Sequence, residues 1–144
     1  MAVSPVPETF HTVTPYLTVR DAAGLLDFVT RAFGATHVHA MKGADGRITH
    51  ADVMIGDSHI MMGQAGDAAS AMPAMLYLYV PDCDAAYARA IAAGGVSISE
   101  PQTMYYGDRH GAVRDSNGNQ WYLATHVEDV APEELARRAA RARG

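Results

Sequence analysis

The segment "ITHADVMI" puts His50 and Asp52 two residues apart in a stretch that alternates like a strand, so both side chains fall on one face. A carboxylate beside an imidazole can orient or charge it, which is what general acid–base catalysis asks for. His110, in "DRHGAVR", is a second imidazole with similar surroundings. Two imidazoles and a carboxylate are also a familiar donor set for a divalent metal, so His50, Asp52 and His110 are the candidate catalytic residues and a conceivable non-standard metal site. The plainer alternative for each histidine is a rim residue bonded to backbone or carboxylate. The single cysteine, Cys83, excludes an internal disulfide and a cysteine-cluster metal site, and Asp82 and Asp84 beside it disfavour a thiolate. Nucleophile-elbow, P-loop and dinucleotide fingerprints are not found.

These residues need a frame to hold them. "TVTPYLTVR", Thr12 to Arg20, alternates Val13, Leu17 and Val19 against Thr14, Tyr16 and Thr18, a strand with Pro15 marking an edge or irregularity. Asp21 is placed to cap a helix running to Phe33, with Leu25, Phe28 and Val29 at helical spacing and Gly34 as its stop. A short strand from Thr36, a turn at "KGADGR", the strand "ITHADVMI", the turn "GDS" and the strand "HIMMG" complete a first half. The order then recurs: strand "AMLYLYV", a helix capped by Asp82 and ended at Gly94 and Gly95, the short strand "VSIS", and two strands joined by a turn within "YYGDRHGAVRDSNGNQWYLATH". "LTVRD" at Leu17 matches "LYVPD" at Leu78, Gly34 matches Gly94, and the same spacing pairs His50 with His110 and Val53 with Val113. The halves are bounded at 12–66 and 74–130, and 131–144 is expected to be a helical tail with Pro132 at its start and arginines toward its end.

The 144 residues and 49% hydrophobic content suit one structural domain with a sizeable core. Acidic residues outnumber basic ones 16 to 11, which removes the attraction that drives nucleic-acid binding. No apolar run approaches the roughly 20 residues of a membrane helix, and "MAVSPVPETF" has neither a basic nor an apolar leader region, so a cytoplasmic protein is expected.

Two copies of strand, helix and three strands, with "TPYLTVRD" opening, "GDRHGAVRDSNGNQW" near the end and "LATHVEDV" closing, resemble the vicinal oxygen chelate superfamily, most closely its PhnB-like glyoxalase/bleomycin-resistance branch. The resemblance covers Thr12 to Val130 and implies an α+β fold of tandem βαβββ modules, eight strands of mixed sheet curled around a cleft, and a homodimer. It also implies that metal-using members carry ligands at four strand positions, which fall here on Thr14, Met61, Met75 and Tyr122. A hydroxyl, a phenol and two thioethers are poor donors for a divalent first-row metal, so no cofactor is expected at the usual place.

Strand alternation then gives the cleft lining: Tyr16, Met54, Met61, Met75, Tyr77, Tyr79, Arg114, Tyr122 and His126 as ligand-binding residues around the histidines. Such an apolar, aromatic and methionine-rich wall suits a flat organic molecule, with Arg114 aimed at an anionic group. The same rows would equally serve as filler across a small barrel. By the resemblance the leading expectation is a metal-free binder of an apolar or aromatic small molecule. The alternative is an isomerase, lyase or dioxygenase using a displaced metal or His50 and Asp52 as acid and base.

Overall fold

The computed structural model describes residues 2–143, with the side chains of 37 and 38 left out. An expectation that His37 is an exposed histidine without a role lies outside these described side chains. The first half is β1 (Tyr16–Val19), α1 (Ala22–Phe33), β2 (Thr36–Lys42), β3 (Ile48–Ile55) and β4 (Ser58–Gln64). After a single 3-10 turn at Ala68–Ser70 come β5 (Met75–Tyr79), α2 (Cys83–Ala92), β6 (Val96–Thr103), β7 (Asp108–Arg114) and β8 (Gln120–His126). The chain closes with α3 (Pro132–Arg143). Hydrogen bonding divides the strands into two four-stranded mixed sheets of the same topology, β1-β4-β3-β2 and β5-β8-β7-β6, with the first strand of each parallel to the last. Among the described residues no helix is long and apolar enough to cross a membrane.

The caps form as the sequence dictates. Asp21 accepts a hydrogen bond from the Gly24 amide at the start of α1, and Asp82 accepts one from the Ala85 amide at the start of α2. β1 is shorter than its alternation suggests. Pro15 has no amide proton to give the ladder, so pairing with β4 begins at Tyr16, and Val13, which alternates in phase with the buried Leu17 and Val19, is 81% exposed. β6 is longer than "VSIS" suggests. It is an edge strand, where Pro101 costs no ladder bond, and it absorbs the irregularity as two register shifts.

One row of each sheet turns to the helices, and both rows merge into a single core: Leu17, Val19, Ala51, Val53, Ile60 and Met62 from the first, Val113, Trp121 and Leu123 from the second. Trp121 crosses the divide, its ring lying 5.1 Å from that of Phe33 and 6.3 Å from that of Phe28, both on α1. Its indole N–H donates to Asp115 at 2.8 Å. The buried Asp115 carboxylate also accepts from the amides of Asn117 and Asn119 and from the Asn119 side chain. Gly118 has φ +87, which lets the chain turn back on this carboxylate. The same turn reaches both halves, because Asn119 accepts from the Ala74 amide ahead of β5 and Asn117 exchanges two hydrogen bonds with the backbone of Asp21.

Removing this acceptor strands an indole N–H and several amide donors out of water. Asp115→Ala is expected to cost about 3 kcal/mol in urea unfolding, against about 0.5 kcal/mol or less for Asp45→Ala in an exposed turn.

Candidate functional site

The row of each sheet opposite the helices is the face available for function. On the second sheet, Tyr77 pairs with Tyr122, and Tyr79 with Ala124. The Tyr77 and Tyr122 rings stack 6.2 Å apart, Tyr79 meets Tyr77 edge-on at 5.4 Å, and the His110 ring lies 5.9 Å from both Tyr77 and Tyr122. Tyr106, just before β7, shares a 2.7 Å hydrogen bond with His110 Nε2. His110 Nδ1 is buried without a partner. The aromatic wall is continuous, yet Tyr77 and Tyr79 are 41% and 66% exposed.

The wall rests on Asp108, a buried carboxylate at the start of β7. Tyr77 and Tyr79 donate their hydroxyls to its Oδ2 at 2.8 and 2.9 Å, and His126 Nδ1 donates to its Oδ1 at 3.0 Å. The other His126 nitrogen meets Asp129 at 2.7 Å. Burial works to raise the Asp108 carboxyl, but the hydrogen bonds from His126, Tyr77 and Tyr79 outweigh it and hold it below its ordinary range. The bonds to Asp129, then to Asp108, raise His126. Burial and the bond to Asp108 push Tyr77 far above the usual phenol range, and the bond to Asp108 raises Tyr79, so both hydroxyls remain donors at neutral pH. Arg109, next to Asp108, points the other way and grips Asp84 on α2 with two bonds of 2.8 and 2.9 Å. Arg114 is exposed at the far end of β7.

On the first sheet Tyr16 leans across Gly63 to reach His50 Nδ1 at 3.3 Å; a β-carbon on Gly63 would collide with the Tyr16 hydroxyl. Met61 sits beside Tyr16, and Met54 opposite His59. Asp52 is not the partner of His50. Its Oδ1 accepts from His59 Nδ1 at 2.8 Å, a diagonal contact between β3 and β4 that a reading along one strand misses. His59 and Asp52 are buried because the N-terminal segment covers them: Phe10 stacks on the His59 ring at 3.6 Å, and Thr9 bonds its Nε2. His50, Asp52 and His110 therefore do not converge. Among the described residues no group of three or more His, Cys, Asp or Glu is spaced to hold a metal ion.

The four positions that the resemblance matches to metal ligands lie on β4, β5 and β8 and just ahead of β1. Thr14 precedes β1 and bonds the His11 carbonyl, while Met75 is opposite Gln120. The residues beside Met61 and Tyr122 are Tyr16 and Tyr77. Neither the four matched residues nor these two tyrosines fit a divalent metal, since neutral phenols, hydroxyls and thioethers are weak donors for one. Cys83 is buried, and burial, then Asp84, raises its thiol, which disfavours the thiolate.

One feature was not foreseen. A cavity of about 790 Å³ opens between the two halves, along β5. Leu76, Leu78 and Val80, half-buried where they pack against the core, line it together with Phe33, Ile55 and Ile60, and Tyr77 and Tyr79 form part of its wall. The available signal was that β5 opens a repeat and so lies at a sheet edge, with nothing paired beyond it. The size lies in the range of small-molecule sites.

The sequence profile of the Glyoxalase/Bleomycin resistance protein/Dioxygenase superfamily matches residues 9–123. An uncharacterized protein of Mycobacterium bovis is 30% identical over 134 residues, covering 85% of this chain and 88% of that protein. Among solved structures, TioX from Micromonospora sp. ML1 superposes with a TM-score of 0.71 at 26% identity, covering 81% of this chain and 99% of that one. A superfamily member from Sphaerobacter thermophilus gives a TM-score of 0.63 at 21% identity over 80% of this chain and 96% of its own, a likeness of fold.

The cluster around Asp108 sets a pH window. His126, raised, adds stability that is complete below about pH 6.5 and lost as pH rises through its folded value; Asp108, lowered, adds stability present above about pH 3.9 and lost as pH falls through its own. An NMR titration of the His126 ring is expected to show a midpoint above about 6.5, moving down in Asp129→Asn.

Proposed function

From its place in the glyoxalase/bleomycin resistance protein/dioxygenase superfamily, to which this chain belongs, we propose that the protein binds a flat, apolar or aromatic small molecule against the tyrosine face of its second sheet. The observation that carries this reading is the aromatic wall of Tyr77, Tyr79, Tyr122 and His110, fixed from behind by Asp108 yet left exposed beside the cavity along β5. Exposed tyrosines ordinarily swing free. Here two hydroxyls are tied down, so their faces are oriented before any ligand arrives and less side-chain freedom is lost on binding.

The reading includes three further parts. The site works without the divalent metal of metal-using members, because the donors at the matched positions are phenol, hydroxyl and thioether. The active form is a homodimer, because the functional faces of both sheets turn away from the shared core and leave Tyr16, Met75 and Tyr79 more than half exposed, so that a second copy is needed to close a cleft over them. The protein belongs to the PhnB-like branch, on the strength of its sequence motifs, and acts in the cytoplasm, where its single free cysteine stays a thiol.

Titration with a panel of planar aromatic ligands, followed by calorimetry and tyrosine fluorescence, is expected to find saturable binding without turnover or metal dependence. Tyr77→Ala should weaken it about tenfold, by removing one stacking partner of roughly 1–1.5 kcal/mol, while Tyr105→Ala leaves it unchanged. Absence of any saturating ligand across the panel would count against the assignment.

A further inference from the structure

We propose that Thr9, His59 and Asp52 form a second, catalytic site on the first sheet: a hydroxyl–imidazole–carboxylate relay able to transfer and hydrolyse acyl groups from activated esters. It does not depend on the tyrosine face.

The case begins with which atoms meet. Asp52 Oδ1 lies 2.8 Å from His59 Nδ1, and Thr9 Oγ1 lies 2.8 Å from His59 Nε2. An ionised carboxylate can only accept, so the Nδ1 nitrogen carries the ring proton. In the neutral ring Nε2 is then a lone pair that accepts from the Thr9 hydroxyl. This fixes the tautomer in which an imidazole acts as general base toward a hydroxyl, with the carboxylate stabilising the imidazolium that forms. The carboxylate and imidazole are 8% and 4% exposed, and Phe10 stacks within 10° of parallel on the ring, so neither partner can turn away. Thr9 itself is exposed.

The nucleophile has a second unusual property. Thr9 has φ +70, a left-handed backbone that a β-branched residue seldom adopts, and it is the only non-glycine residue with positive φ among those described. Departures of this kind gather where a side chain must be aimed. The neighbouring turn, closed by the Phe10 amide on the Pro7 carbonyl, presents the hydroxyl to His59 across fifty positions of sequence.

The step balances without a cofactor. Thr9 Oγ1 attacks the ester carbonyl while His59 Nε2 takes its proton; the carbon–oxygen bond to the leaving alcohol breaks, and that alcohol leaves with the proton from His59. Water then attacks the acyl-threonine ester, again giving a proton to His59, which returns it to Thr9 as the acid is released.

The full chain should be incubated with p-nitrophenyl acetate, with release of p-nitrophenol followed by absorbance and the acetyl adduct located by peptide mass mapping. The expected result is an acetyl group on Thr9, absent in Thr9→Val, retained at residue 9 in Thr9→Ser, and formed about a hundredfold more slowly in His59→Gln. Asp52→Asn should also slow it and gives an independent reading if His59→Gln fails to fold, with circular dichroism as the check. Acetyl found only on Lys42 or the amino terminus, no adduct at all, or a Thr9 adduct formed at full rate in Asp52→Asn would overturn the proposal.

Discussion

Four hydrogen bonds converge on the buried carboxylate of Asp115 and fix the indole on which the core shared by the two halves is built. The indole they hold is the largest fully buried side chain, and it lies against helix α1 of the opposite repeat. The neighbouring asparagines carry the same constraint outward, one to the segment before β5 and one to the cap of α1. A hairpin that a sequence reader takes for a connection is thus the joint of the molecule. The burial of a charge is tolerable there because every neighbour offers a donor.

Within that joint frame the two repeats have diverged in chemistry. Each places a tyrosine on its first strand and a histidine on its third, Tyr16 with His50 and Tyr77 with His110, at ring separations of 5.7 and 5.9 Å. At the next position the repeats part. The first sheet sets Asp52 opposite Met61, and the second sets Ala112 opposite Tyr122. A carboxylate recruits an imidazole and a hydroxyl, whereas a small residue leaves room for a ring to lie flat.

Much of the frame was legible because it is written in local terms. Caps at Asp21 and Asp82, the stop at Gly34, the alternation of β5 and the repeat of element order depend on neighbours a few residues apart. The candidate site was legible as a set of faces but not as a set of partners. Tyr77, Tyr79, Tyr122 and His110 share a face by parity alone, whereas Asp52 chooses His59 over His50 through a diagonal between strands whose stagger no single strand reveals. Tyr106 supports the wall from just outside the alternating pattern, Asp108 from its first position on β7, and Thr9 belongs to a segment that reads as an unstructured lead until its fold over β4 is known. The aliphatic row of β5 packs against the core on the side that alternation gives, but alternation is silent on how completely other elements cover it, and here a cavity is left.

The ends of the two sheets have a consequence for how the molecule behaves when crowded. β1 has only four residues and follows a proline, β2 carries two register shifts, and β6 carries two more together with Pro101. Each offers a poor template for a further strand, since a newcomer would find its ladder interrupted within a few residues. The fourth edge, β5, is regular, but it opens onto the cavity between the repeats. Growth by strand addition, which has no natural end and leads to fibres, is therefore obstructed on three sides, even though large tyrosine and methionine surfaces stand open to solvent.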